Sequence, residues 1–187
     1  MRSGTVQPGR IVRLVRERLQ EQGPKVTLLW LLEHAVRITT GAPRAKTSQI
    51  SPGLVLGGQY RRQGWRRIEA AGVTSVLNLR IEYCDREAGI APAKYLRLPT
   101  ADDEAPTLDQ MEQGIAFIAD QIGKGGGVYV HCGAGVGRAA TMVAAHLVAQ
   151  GLQPEEAWAR IRQVRPFIRP TLRQRAAIEE WARRDGG

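Results

Sequence analysis

The sequence predicts an α/β fold: a central, mostly parallel sheet of four or five strands flanked by helices, with further helices at the N-terminus. Three observations carry that expectation. Short apolar runs of strand length recur within 50–58, 73–79, 95–99 and 127–130. Segments with helical spacing of apolar residues separate them, as parallel strands joined by crossover helices require. One run, Gly127-Val128-Tyr129-Val130, passes through a glycine-rich turn straight into an apolar helix. At 187 residues, 43% hydrophobic and 24% charged, the chain suits one domain with a modest extension.

The extension is expected over residues 1–46 and the domain over 47–187. Residues 9–21 place Ile11, Val12, Leu14, Val15 and Leu19 on one side of a helix, with Arg10, Arg13, Arg16, Glu17 and Arg18 over the rest. The default for such a basic amphipathic helix is docking on the domain. It could instead lie on an anionic membrane or form a presequence, though Glu17 and Glu21 count against the latter. A second helix spans 24–38, with Pro24 at its start and the block Leu28-Leu29-Trp30-Leu31-Leu32. That block falls short of the ~18 apolar residues of a membrane span, so buried packing or interfacial insertion is expected. His34 reads as a satisfied boundary histidine, since no second metal ligand lies at suitable spacing. Gly41–Ser48, rich in Pro, Lys, Arg and Thr, reads as a linker.

Residues 50–58 read as a turn and short strand, followed by a helix from about Arg62 to Ala71 that carries the basic cluster Arg61, Arg62, Arg66 and Arg67. Val73–Leu79 reads as a buried strand. Tyr95–Pro99 is another, delivering Thr100-Ala101-Asp102-Asp103-Glu104 into a loop. Thr107 and Gln110 then form a capping box for a helix whose Leu108, Met111, Ile115, Ile118 and Ile122 keep the helical period. After the glycine-rich turn, a buried helix runs from Arg138 to a stop at Gly151. Two more follow, opening at Pro154 and near Thr171 and separated by Arg165-Pro-Phe-Ile-Arg-Pro170. Trp158, Trp181 and His146 read as packed core residues.

The turn itself carries chemistry. In His131-Cys132-Gly133-Ala134-Gly135-Val136-Gly137-Arg138, successive N–H groups of residues 133–138 can point into one concavity at the positive end of a helix dipole. A phosphate group fits such a nest, and Arg138 can clamp two of its oxygens. The same field favours a Cys132 thiolate, a free cysteine of pKa ~8.5 falling to roughly 3.5–7.5 in such surroundings. His131 could orient the cysteine while pointing away from the substrate. A lone cysteine or a lone glycine loop would be a weak signal. Their coincidence with an arginine at a strand-to-helix junction is a strong one.

This stretch resembles the H-C-x5-R signature loop of the cysteine-dependent protein tyrosine phosphatase superfamily, dual-specificity class, and the resemblance spans roughly 50–172. It implies that class's fold, with Cys132 attacking phosphorus, Arg138 binding phosphoryl oxygens and an upstream aspartate protonating the leaving group. Asp102 is the choice for that acid, with Asp103 the runner-up. The reaction so implied needs no metal and no cofactor. Leu98-Pro-Thr-Ala-Asp102, Pro106-Thr-Leu-Asp109, Val128-Tyr-Val-His-Cys132 and Ala140-Thr-Met-Val-Ala-Ala145 are similar to the branch containing the mitochondrial phosphatidylglycerophosphate phosphatase. One departure stands out. Ala139 occupies the place of the family's Ser or Thr, whose hydroxyl stabilises the departing thiolate, so slowed breakdown of the phosphoenzyme is expected. Thr141 lies about 200° round the helix and is not a substitute. Some members use a second cysteine near the position of Cys84 as a redox partner, but Cys84 lies a few residues late and an ordinary thiol is expected.

The net charge of +9 is uneven. Residues 1–67 hold 13 Lys and Arg against 3 Asp and Glu, and the remainder 14 against 15. That excess suits an anionic partner such as an acidic membrane, and equally a solvated arginine-rich surface. No nucleic-acid-binding signature is present. Two cysteines 48 positions apart make no disulfide framework, and a thiolate nucleophile expects a reducing, cytoplasmic compartment, with peripheral membrane attachment as the variant. Arg165 and Arg169 could meet a substrate headgroup or, more readily, cap helix ends. Three functions follow: a phosphoprotein phosphatase acting chiefly on phosphotyrosine, a phospholipid phosphatase docked by the N-terminal helices, or a non-catalytic phosphate-binding module that Ala139 alone suggests. The absence of lysines from the loop counts against multiply phosphorylated headgroups. Nothing in the sequence specifies an oligomeric state.

Overall fold

The computed structural model describes residues 8–185. Helix α1 (Pro8–Thr40) breaks at Gly23, whose φ of 79° and ψ of 170° separate two helical segments at the boundary Pro24 predicts. A 3-10 turn (Ala45–Thr47) leads to β1 (Gln49–Ser51) and β2 (Leu54–Gly57), and α2 (Arg62–Glu69) follows. Then come β3 (Val73–Arg80), β4 (Lys94–Thr100), α3 (Leu108–Gly123), β5 (Gly127–His131), α4 (Arg138–Ala149), α5 (Pro154–Val164) and α6 (Leu172–Asp185). The five strands lie in the order β1-β2-β5-β3-β4, parallel except for the antiparallel β1–β2 edge. The α/β expectation therefore holds.

Both sheet faces are covered, and the strand sequences show why. Leu54 and Leu56, Leu77, Val128 and Val130 face one core, while Val55, Val76 and Tyr129 face the other. Alternation puts successive side chains on opposite faces, so a strand buried on both sides must be apolar throughout. On the larger side α3, α4, α5 and α6 contribute Met111, Ile118, Met142, Trp158, Ile161, Ile178 and Trp181. On the other, Tyr60 and Ile68 pack beside α2. Truncating a residue such as Leu77 to Ala would cost about 2–5 kcal/mol. Trp158, Trp181 and His146 are buried as expected, and burial lowers the pKa of His146. Strand β5 lies between β2 and β3 with Gly57 and Asn78 level with His131, so the residue after it emerges at the centre of the carboxyl edge. Ligands bind at that edge in open α/β sheets.

The extension departs from expectation in orientation. Arg18, Thr27 and Glu33 are buried, at 4%, 2% and 2% exposure, while Val12, Leu19, Leu28, Leu31, Leu32 and Ile38 lie exposed. The segment 9–21 docks on the domain through polar side chains, with Leu14 and Val15 half-buried, and the buried packing allowed for 28–32 is corrected at Leu28, Leu31 and Leu32. The reason is what the helix meets: backbone carbonyls. Arg18 donates to Phe167 O and lies over the Trp30 ring, Gln22 donates to Ile168 O, and Arg37 donates to Gln59 O. The 41–48 linker is also corrected, because Ala42, Thr47 and Ser48 are buried and Glu33 accepts from Arg44 N and Thr47 Oγ1. Residues 1–7 and 186–187 of the expected boundaries lie outside the described residues.

Candidate active site

Cys132 follows β5 and is buried, and the loop after it wraps into the N-terminus of α4. Its shape is fixed from outside. Five consecutive carbonyl oxygens are each bound away from the loop centre: Gly133 O by Gln59 N at 3.0 Å, Ala134 O by Arg165 Nη2 at 3.2 Å, Gly135 O by Arg165 Nε at 2.7 Å, Val136 O by Arg169 N at 2.8 Å, and Gly137 O by Thr141 N at 2.9 Å. In a trans peptide the N–H points opposite to the C=O. The amides that follow those carbonyls are therefore turned inward, and Gly135 N–H reaches Cys132 Sγ at 3.3 Å. Gly135 has φ 69°, and a Cβ there would lie 2.3 Å from the carbonyl of Gly57, so only glycine fits.

Arg138 opens α4, almost wholly buried, with Glu82 on it end-on: Nη1 donates to Oε2 at 2.8 Å and Nη2 to Oε1 at 2.9 Å. Nη1 also donates to Thr100 O, and Asp102 Oδ1 stands 3.0 Å from Nη2. A Cβ on Gly133 would sit 3.6 Å from Nη2, which places that edge of the guanidinium beside the loop. Among the described residues Nε has no partner. Burial alone would lower the Arg138 pKa, but the hydrogen bonds to Glu82 and the charges of Cys132 and Asp102 raise it. The guanidinium is a permanent cation with one buried donor to spare.

His131 is wholly buried and directed away from the loop, its Nε2 2.7 Å from Asp85 Oδ2 and its Nδ1 3.3 Å from Cys132 O. Gln59 Nε2 donates to the other Asp85 oxygen, and the Gln59 backbone N–H is the one that binds Gly133 O. The Asp102 side chain is 76% exposed, at the start of the loop after β4. That loop is tied to α6: Thr171 donates to Asp103 O, and buried Gln174 donates to Glu104 O. Asp103 takes φ 64° there, and its carboxylate makes no recorded ion pair. Both cysteines are free, and Cys84 lies 4.0 Å from Tyr95 Oη. Ala139 leaves no hydroxyl on the first turn of α4, and Thr141 Oγ1 is spent on Gly137 O.

The structure thus gathers Cys132, residues 133–137, Arg138, Asp102 and His131 at one place. It adds Glu82, Asp85, Gln59 and Gln174, which sequence reasoning missed because each acts through a contact far away along the chain, and it gives Arg165 a role other than the two expected of it. Arg165 is withdrawn from solvent and so from any headgroup, while Arg169, 33% exposed, is engaged elsewhere. Arg165 is buried beneath the loop, and the Arg169 side chain pairs with Glu17 and Glu21 of α1.

A family profile described as "Polymorphic toxin system, DSP-PTPase phosphatase" matches residues 56–152, more than half of the chain. The chain belongs to the dual-specificity phosphatase family. It is 34% identical over 152 residues to the human "Phosphatidylglycerophosphatase and protein-tyrosine phosphatase 1", covering 76% of this chain and 75% of that one. It is 31% identical over 154 residues to "Dual specificity protein phosphatase PHS1" of Arabidopsis thaliana, spanning only 16% of that protein. Among solved structures, that of PTPMT1 superposes with a TM-score of 0.68 at 31% identity, covering 74% of this chain and 95% of that chain. A second, of PTPMT1 in complex with PI(5)P, superposes at 0.67 and 30% identity, covering 73% and 94%. The protein is accordingly a cysteine-dependent phosphatase of the dual-specificity class, near the PTPMT1 branch.

Proposed function

We propose that this chain hydrolyses phosphomonoesters through a cysteinyl-phosphate at Cys132. The observation that carries the proposal is the outward binding of five successive carbonyls, which leaves an amide cradle beside a buried thiol and the spare Nε of Arg138. The Cys132 thiolate attacks phosphorus in line. The loop amides and Arg138 hold the three equatorial oxygens as charge develops on them. Asp102 donates its proton to the leaving oxygen, then takes one from the water that cleaves the phosphocysteine. When phosphate enters, Asp102 exchanges its contact with Arg138 for the leaving oxygen.

Phosphoproteins, chiefly phosphotyrosyl ones, and phospholipids are the two substrate classes. Exposed apolar surface favours the lipid. Of eight exposed large hydrophobic residues recorded among the described residues, six lie on α1, and the other two neighbour site residues: Ile81 precedes Glu82, and Leu172 follows Thr171, which holds the acid loop. Leu28, Leu31, Leu32, Ala35 and Ile38 form one outward stripe, with Lys25 exposed on the same segment and Arg13 and Arg16 exposed on the segment before the break at Gly23. Leucines with cations alongside suit the surface of an anionic bilayer. No described helix is long and apolar enough to cross a membrane, so the contact proposed is peripheral. A reducing, cytoplasmic setting for the thiolate is part of the proposal.

The test is phosphate release from phosphotyrosyl peptides and from vesicles containing phosphatidylglycerophosphate, with Cys132→Ser as the blank. Leu28→Ser/Leu32→Ser is expected to depress the vesicle rate and spare the peptide rate. Equal loss on both would remove the membrane role of α1. Silence of the unaltered chain on both substrates would leave a phosphate-binding module.

A further inference from the structure

Helix α1 reaches the phosphate loop through one buried ion pair. Glu33 Oε1 lies 3.1 Å from Arg165 Nη1, with side chains 3% and 0% exposed. The same guanidinium donates to Thr47 O at 2.8 Å, to Gly135 O through Nε, and to Ala134 O through Nη2. Ala134 O belongs to the peptide group whose N–H contacts Cys132 Sγ, and Gly135 O to the next one along. A hydrogen bond at the oxygen polarises the peptide and strengthens what its N–H donates. Arg165 therefore fixes the direction, and raises the donor strength, of two successive amides of the cradle. It can do so only because it stays buried. A guanidinium without solvent and without a counter-charge is costly, and Glu33 is the carboxylate that supplies it. Glu33 is itself saturated, its second oxygen accepting from Arg44 N and Thr47 Oγ1.

We infer that Glu33 is a positioning residue for the phosphate loop, acting through Arg165 on the amides that face the thiolate and the phosphoryl oxygens. The inference rests on Cys132 being the nucleophile. It makes α1 a working part of the catalytic unit, so deleting residues 1–46 depresses turnover of every substrate, soluble ones included.

The experiment uses the full chain with para-nitrophenyl phosphate, which needs no membrane. Four quantities are read for Glu33→Gln and Arg165→Lys: kcat, KM, the pH midpoint of Cys132 alkylation by iodoacetamide, and Tm. Glu33→Gln keeps the shape and removes the charge, and Arg165→Lys keeps the charge and removes the fork. Both are expected to lower kcat about 10- to 100-fold, the range for a lost charged hydrogen bond. The alkylation midpoint is expected to move to higher pH. Gln20→Ala, at an exposed position of α1, should leave kcat and midpoint unchanged. Should Arg165→Lys fail to fold, Glu33→Asp, which withdraws the carboxylate by one methylene, is expected to give an intermediate loss. If kcat stays within about 2-fold and the midpoint is unmoved, whatever happens to Tm, the pair is only a fold clamp and the inference is overturned. An unaltered chain that neither releases phosphate nor has Cys132 protected from alkylation by inorganic phosphate would instead remove the nucleophile reading.

Discussion

Glu82 holds Arg138 by both carboxylate oxygens, at 2.8 and 2.9 Å, from a turn 56 residues upstream. Burial alone would raise the Glu82 pKa, but hydrogen bonds from Arg138, its own backbone and Arg80 outweigh it and hold it at about 2. Because the folded value is depressed, the contribution of this contact to stability is complete above the ordinary carboxylate range. It is lost as pH falls from about 4.5 through about 2. The clamp on Arg138 is therefore intact at any pH near neutrality. Glu82→Gln is expected to lower kcat/KM for para-nitrophenyl phosphate about 10- to 100-fold. An unchanged value would show that the loop alone places the arginine.

Asp102 stands beside Arg138 while Asp103 has only its carbonyl engaged, by Thr171. Asp102→Asn should cost about 10²- to 10⁴-fold in kcat/KM with phosphotyrosine, the range for general acid catalysis, since kcat/KM reports the step in which the leaving group departs. With para-nitrophenyl phosphate, whose leaving group departs without a proton, the loss should shrink. Asp103→Asn should fall well short of either. The reverse order would assign the proton to Asp103.

With Ala139 in place of a hydroxyl residue, Gly135 N–H is the only hydrogen-bond partner of Cys132 Sγ among the described residues. Breakdown of the phosphoenzyme, which expels the thiolate, is then expected to be slow, and a rapid-mixing experiment should show a burst of nitrophenol approaching one equivalent. Ala139→Ser should raise the steady rate about 10- to 100-fold and shrink the burst. A reaction without a burst in the unaltered chain contradicts this.

Asp85 and His131 are both fully buried, 2.7 Å apart, directly behind the nucleophile. Removing the carboxylate leaves the His131 ring and the Gln59 side-chain amide without their buried hydrogen-bond partner, at a cost of about 1–3 kcal/mol. Asp85→Ala should therefore lower Tm by roughly 2–12 °C in a chain of this length. It should also reduce kcat below the melting range, because His131 Nδ1 lies at the Cys132 carbonyl. A melting curve matching that of the unaltered chain would show that Gln59 and His131 do not depend on the carboxylate.

The sheet and its helices were legible because their periods are local. Val128, Tyr129 and Val130 had to be a strand buried on both faces, and Thr107 with Gln110 announced α3 within four residues. The cradle was legible for the same reason, with cysteine, glycines and arginine in one stretch. What surrounds it was not. Glu82 is an ordinary charged residue past the end of β3 until the fold brings Arg138 to it, and nothing near Asp85 announces a histidine 46 positions on. The orientation of α1 was misread because apolar residues were expected to face the protein. Here the protein offers that helix backbone carbonyls, and Arg18, Gln22 and Arg37 satisfy them. Burial of polar groups follows the partners available, and those lie at 59 and 165–168, outside any local window.

The loop is closed by residues from opposite ends of the chain, Glu33 and Arg165 being 132 positions apart. During synthesis the nucleophile, the glycines and Arg138 all leave the ribosome before the arginine that orients their amides. Contacts so remote in sequence form late in folding, after the entropy of closing the intervening chain has been met. A nascent or prematurely ended chain holding Cys132 but not Arg165 would carry the signature sequence without the finished cradle. Competence toward phosphate is in this way deferred until Arg165 has joined the fold, and an emerging polypeptide that lacks it is kept from acting on its surroundings.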